Sequence, residues 1–111
     1  MTTQITVSER ATILRVAGRL DAESHDGFDD AFNRAMSNGA VNVVTDLSGL
    51  VYISSAGVGS LVKAAKRIQN VGGEVLLTGA RGLVKDVLVL TRIITIFRVF
   101  DSEEAALAAV S

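Results

Sequence analysis

The sequence predicts an α/β domain, a mixed and largely parallel sheet of about five strands packed with about four helices. Three observations lead there. Two short β-branched runs open the chain as a pair, nearly continuous apolar runs recur at residues 41–44 and 75–77, and stretches of three- and four-residue apolar spacing alternate with them.

Ile5 and Val7, then Ile13, Leu14 and Val16, flank Ser8-Glu9-Arg10, which has the composition of a hairpin turn, so the first two strands are expected to be antiparallel. After Gly18, Asp21-Ala22-Glu23-Ser24 reads as a turn and cap. Phe28, Ala31, Phe32, Ala35 and Met36 then recur at helical spacing up to Asn38-Gly39. Val41, Val43 and Val44 form a strand covered on both faces, hence central, that is expected to end at Asp46. From Asp46 to Gly59 the chain reads as a turn crowded with small residues and hydroxyls. Val58, Leu61, Val62, Ala65 and Ile68 mark the next helix, which Gly72-Gly73 stops. Val75, Leu76 and Leu77 form another buried strand, Gly79-Ala80-Arg81-Gly82 a loop, and Leu83, Val84, Val87 and Leu88 a short helix. Ile96, Phe97, Val99 and Phe100 make the last strand. Asp101 with Glu104 has the spacing of a capping box ahead of a terminal helix carrying Ala105, Leu107, Ala109 and Val110. Strand and helix alternate throughout, which calls for right-handed crossovers within one domain over residues 1–111.

With 49% apolar residues, one Tyr, four Phe and no Trp, the core must be aliphatic. The absence of Cys excludes disulfides and thiolate zinc sites, and His25 is the sole imidazole, so no metal or cofactor is expected. Apolar runs fall short of a membrane span, and Met1-Thr2-Thr3-Gln4 lacks the regions of a signal peptide; a cytoplasmic location without a membrane partner is expected. A net charge of -1 argues against nucleic acid.

Chemistry concentrates at the serine turn. A serine at a helix start commonly caps it by accepting an early backbone N–H; with Ser54 and Ser55 adjacent, one can cap while the other points outward, open to a protein kinase. A phosphate there would carry roughly -1.5 to -2 charge and sit well against the helix dipole and the N–H groups of Ala56 and Gly57. Gly57 and Gly59 each cost about 1 kcal/mol relative to Ala inside a helix, a cost explained either by tight packing or by a partner's close approach. Neither a Walker loop nor a dinucleotide fingerprint is present. Ser60, Lys63, Arg67 and Asn70, with Lys66, form a modestly basic helix face that is expected to meet solvent or a docking partner. Asp21, Glu23, Asp26, Asp29 and Asp30 form an acidic cluster at a helix start, where the dipole favours acids. Asp46 lacks the acidic pair and the lysine of a phosphoaspartate receiver, and His25 lacks a nucleophile, so no catalytic set is expected.

Gly18-Arg19-Leu20-Asp21, Asp46-Leu47-Ser48-Gly49-Leu50, Ile53-Ser54-Ser55-Ala56-Gly57-Val58-Gly59 and the stretch from Phe97 to Ala106 together resemble the STAS domain, within it the single-domain bacterial anti-sigma factor antagonists. The resemblance implies a STAS-like fold and partner switching: the unphosphorylated protein binds an anti-sigma factor that is also a serine kinase, phosphorylation ends the binding, and a metal-dependent serine/threonine phosphatase restores it. The domain is then a substrate and a ligand, not an enzyme, and a monomer or weak dimer. It implies a partner surface of Asp21, Ser54, Ser55, Ala56, Gly57, Gly59, Ser60 and Lys63. The usual family turn is Asp-Ser-Ser/Thr-Gly, with the accepting hydroxyl just before Gly. Ala56 stands at that place here, which makes Ser55 the expected acceptor and Ser54 the second. The same departure leaves a regulatory scaffold not controlled by phosphorylation as the alternative.

Overall fold

The computed structural model describes residues 1–37, 39 and 41–110. Strand β1 (Thr2–Val7) turns into β2 (Thr12–Leu20). Helix α1 (His25–Met36) leads to β3 (Asn42–Ile53) and α2 (Ser55–Gln69) to β4 (Glu74–Thr78). Helix α3 (Gly82–Leu90) and a 3-10 turn (Ile93–Ile96) lead to β5 (Arg98–Phe100), and α4 (Glu103–Ala109) follows. The sheet runs in chain order, with β1 antiparallel to β2 and every other pair parallel. The expected architecture is the observed one. The Asn38 end expected for the first helix lies outside the described residues.

Because successive crossovers advance in one direction with one hand, α1, α2 and α3 fall on the same face of the sheet. Phe28, Phe32, Leu61, Ile68, Val84 and Leu88 from those helices pack with Val43, Leu47 and Leu77 from the strands. The alternate strand residues Ile13, Val44 and Leu76 face the other way and meet Ala106 of α4. The central strands are apolar on both faces because each face has its own cover.

Three expectations need correction. The third strand does not end at Asp46 but runs to Ile53, because β2 continues alongside it as far as Leu20. Between Arg15/Asp46 and Ala17/Gly49, and again between Gly18/Leu50 and Arg19/Tyr52, β3 holds one residue more than β2. These two bulges let Leu47, Leu50 and Ile53, spaced by three, all enter the core, where strict alternation would expose one of them. Gly49 fits this crowded ladder because a Cβ there would lie 2.9 Å from the Ala17 Cβ.

The last strand is shorter than expected. Ile96 ends the 3-10 turn, Phe97 is an extended, buried residue before the strand, and only Leu76, Leu77 and Thr78 offer partners to β5. At α4 the cap is Ser102, not Asp101: its Oγ accepts the Ala105 N–H at 3.1 Å, and no Glu104 side chain reciprocates among the described contacts. Glu103 instead receives Arg15 of β2, with Nε to Oε2 at 2.8 Å and Nη2 to Oε1 at 2.7 Å.

Candidate functional site

β2 and β3 end in step, Leu20 paired with Ile53, so Asp21 and Ser54 leave the sheet side by side. The Ser54 N–H donates to the Leu20 carbonyl at 2.9 Å, which fixes the entry of α2 against the end of β2. Ser54 is the cap, with φ −98° and ψ 177°; its carbonyl accepts the Val58 N–H at 2.9 Å and its Oγ the Gly57 N–H at 3.4 Å. Ser55 is the first helical residue and is exposed, so the division expected from sequence, one serine capping and one outward, is what the structure has. No acid lies in this first turn.

The two glycines of that turn separate into different cases. A Cβ at Gly57 would lie 2.6 Å from the Leu20 carbonyl oxygen and 2.8 Å from the Ile53 Cγ1, so only glycine lets α2 descend onto the strand ends. At Gly59, one turn along the helix from Ser55, nothing lies within 4 Å of a built Cβ. Packing explains Gly57 and leaves Gly59 unexplained.

The expected basic face of α2 is partly engaged, with Lys66 and Asn70 left exposed. Ser60 is buried at 3% exposure; Lys63 Nζ lies 3.3 Å from Asp29 Oδ2 and Arg67 donates to Asn33, both across the seam between α1 and α2. Lys63 therefore ties the two helices together while staying exposed, and it and the buried Ser60 lie further along α2 than Ser54, Ser55, Ala56 and Gly57, which the fold gathers with Asp21. The reason is angular: the helix needs a second buried stripe because it packs on a helix as well as on a sheet. Asp29 of the acidic cluster serves this seam. Asp21 instead closes its own turn, accepting the N–H groups of Glu23 at 3.1 Å and Ser24 at 3.2 Å. Its carboxyl is held below the ordinary value: partial desolvation pushes it up, and the Ser24 hydroxyl, the two N–H groups and Arg19 outweigh that.

Arg19 and Tyr52, a pair that no sequence motif singles out, lie at the same end of β2 and β3. They are partners across the ladder, and the Arg19 guanidinium lies 4.1 Å from the Tyr52 ring centroid. Only the bulged register brings them together, so no sequence spacing announces the pair. Beside them Val51 is 66% exposed, an apolar side chain next to the serine turn.

Other polar groups serve the scaffold. Asp46 lies mid-strand and accepts the Ser48 N–H at 2.9 Å; burial raises its pKa, but hydrogen bonding with Glu103 and Ser48 and the charge of Arg15 bring it below the ordinary value. Among the described residues His25, Asp26 and Asp29 bring ligand atoms within 4.8 Å of one another, but Asp29 already neutralises Lys63. Among the described residues several small clefts lie elsewhere, one of about 270 Å³ between Arg15, Asp46 and Ser48. Ser54 and Ser55 line none of these clefts.

Comparison with known proteins agrees with this fold. A family model described as the STAS domain matches residues 2–106. A Bordetella bronchiseptica protein named an anti-sigma factor antagonist, BtrV, is 39% identical over 74 residues, which are 67% of this chain and 64% of that protein; the match thus spans just under two thirds of the relative's length. An anti-sigma factor antagonist of Thermotoga maritima superposes with a TM-score of 0.89 at 25% identity, covering 97% of this chain and 93% of its own. The Bacillus cell fate determinant SpoIIAA in its phosphorylated form superposes with a TM-score of 0.74 at 20% identity, over 99% of this chain and 100% of that one, and so shares the fold. Among the described residues no helix is long and apolar enough to cross a membrane.

Proposed function

This chain belongs to the STAS domain family, and we propose that it is an anti-sigma factor antagonist that works by partner switching, with Ser55 as the phosphorylated residue. The observation that carries the reading is the start of α2: an exposed serine directly after the cap, in a first turn with no acid, beside a glycine that packing does not require. The names of the relatives supply the role; the residues supply the means.

Unphosphorylated, Ser55, the open side of Gly59, Val51 and the Arg19–Tyr52 pair form a contact face, its Arg19 charge met by Asp21 at 3.6 Å, on which the anti-sigma factor, itself a serine kinase, closes. Gly59 lets the partner's backbone approach where any side chain would hold it off. The kinase then joins the Ser55 Oγ to the γ-phosphorus of ATP. The bond from that phosphorus to the β–γ bridging oxygen breaks, ADP leaves, and the hydroxyl proton is lost. The new dianion meets the dipole and free N–H groups of α2, so the fold tolerates it. It repels or demands desolvation from the partner, and a loss of about 3 kcal/mol lowers affinity more than a hundredfold. Hydrolysis by a metal-dependent serine/threonine phosphatase restores the hydroxyl. Ser54 is the poorer acceptor because its Oγ already holds the Gly57 N–H and a phosphate there would give up the cap.

Intact-mass and fragment spectrometry of the protein from its native cell tests this. One phosphate on Ser55 is expected; phosphate on Ser54 corrects the residue. None, even after incubation with candidate kinases and ATP, favours a scaffold that binds without being switched, the reading that Ala56 in the usual hydroxyl position supports.

A further inference from the structure

We propose that the outer face of α3 is where two copies of this chain meet. α3 buries Val84 and Leu88 against the sheet yet leaves Leu83 at 52%, Val89 at 50% and Leu90 at 82% exposure. A helix apolar on both sides is built to be covered on both.

The charges on the patch say by what. Lys85 and Asp86 are the charged residues of α3, they are adjacent, and among the described residues neither enters an ion pair. A partner surface of one sign would satisfy one of them and repel the other. A second copy, related by a two-fold axis, offers each charge its opposite. At about 100° per residue, Asp86 stands at the centre of the outer face with Leu83 and Leu90 on one side and Lys85 and Val89 on the other. In an antiparallel pair with the two-fold beside Asp86, residues keep their side of the face and exchange ends. Leu90 of each copy then lies on Leu83 of the other, and the Lys85 of each copy comes beside the Asp86 of the other, making a neutral cluster of four charges. The shallow cavity of about 330 Å³ between Lys85, Asp86, Val89 and Leu90 receives the second copy's side chains. A nine-residue helix is about 14 Å long and supplies less than the roughly 800 Å² per partner of a standard stable interface, so the pairing is weak and reversible.

Sedimentation equilibrium from micromolar to about 1 mM tests the pairing. The weight-average mass is expected to climb toward twice the monomer, and Leu90→Ser to raise the dissociation constant at least about tenfold. Lys85→Glu and Asp86→Lys, each alone, are expected to weaken self-association by a similar factor, and a mixture of the two variants to form heterodimers. All three positions are exposed, and circular dichroism checks that the variants keep the fold. A wild-type chain that stays monomeric throughout, leaving this face to another protein, overturns the proposal. So does a dimer unmoved by these substitutions.

Discussion

The helices α2 and α4 begin in the same way and are finished differently. Each is capped by a serine whose Oγ accepts the N–H three residues on, Ser54 from Gly57 at 3.4 Å and Ser102 from Ala105 at 3.1 Å. In α4 the next two residues are Glu103 and Glu104, acids that complete the dipole, and Glu103 is further gripped by Arg15. In α2 they are Ser55 and Ala56, and the turn carries no acid. Where one helix start takes the local optimum, the other leaves it open, and the missing charge is what a phosphate on Ser55 would supply.

The largest effect should come from making the two ends alike. Ser55→Glu places an acid where α4 has Glu103; partner affinity measured by calorimetry is expected to fall more than a hundredfold, about 3 kcal/mol. Melting should show no loss of stability and a gain of about 0.3–1 kcal/mol. A destabilised variant would break the comparison. Gly57→Val tests the packing half of the same turn: with the Leu20 carbonyl 2.6 Å from the new Cβ, denaturant unfolding should show a loss of about 3 kcal/mol.

At the finished end, acid titration of stability probes the Arg15, Glu103 and Asp46 group. Asp46 is held below its ordinary value of 3.8, so its contribution is present above that pH and is lost as pH falls below it. Asp46→Asn should flatten that acid arm. Arg15→Met, which leaves the two carboxylates facing each other, should cost about 1–2 kcal/mol near neutral pH, discounted for a guanidinium 35% exposed. The smallest effect is the sharpest in sign: Gly59→Ala is expected to raise stability by up to about 1 kcal/mol while weakening partner binding. An unchanged affinity would remove Gly59 from the contact face.

Much of this was legible in the chain. The hairpin, the valine run of β3, the stripe Leu61, Ala65 and Ile68 of α2 and the serine turn all carry local signals: turn composition, β-branching, helical spacing, small hydroxyls. What was hidden depends on register. Leu47, Leu50 and Ile53 are spaced by three, so the second half of β3 resembles a turn until the two bulges are seen. Ser60 looks solvent-facing on a helix that packs on one surface and is buried on a helix that packs on two, where Lys63, still exposed, meets Asp29. Arg19 and Tyr52 are separated by the whole of α1 and joined only by the ladder.

The grip of Arg15 on Glu103 spans 88 positions of sequence, and time is built into that distance. At translation rates of about 5–20 residues per second, Arg15 leaves the ribosome roughly 4–18 seconds before its partner exists. The sheet face of Ile13, Val44 and Leu76 is itself complete only once Leu76 is made, 30 residues or roughly 1.5–6 seconds before Ala106 of α4 arrives to cover it. The nascent chain must spend those seconds with a bare apolar face, exposed to chaperones and to its neighbours, and the arrival of α4 is the event that ends its vulnerability.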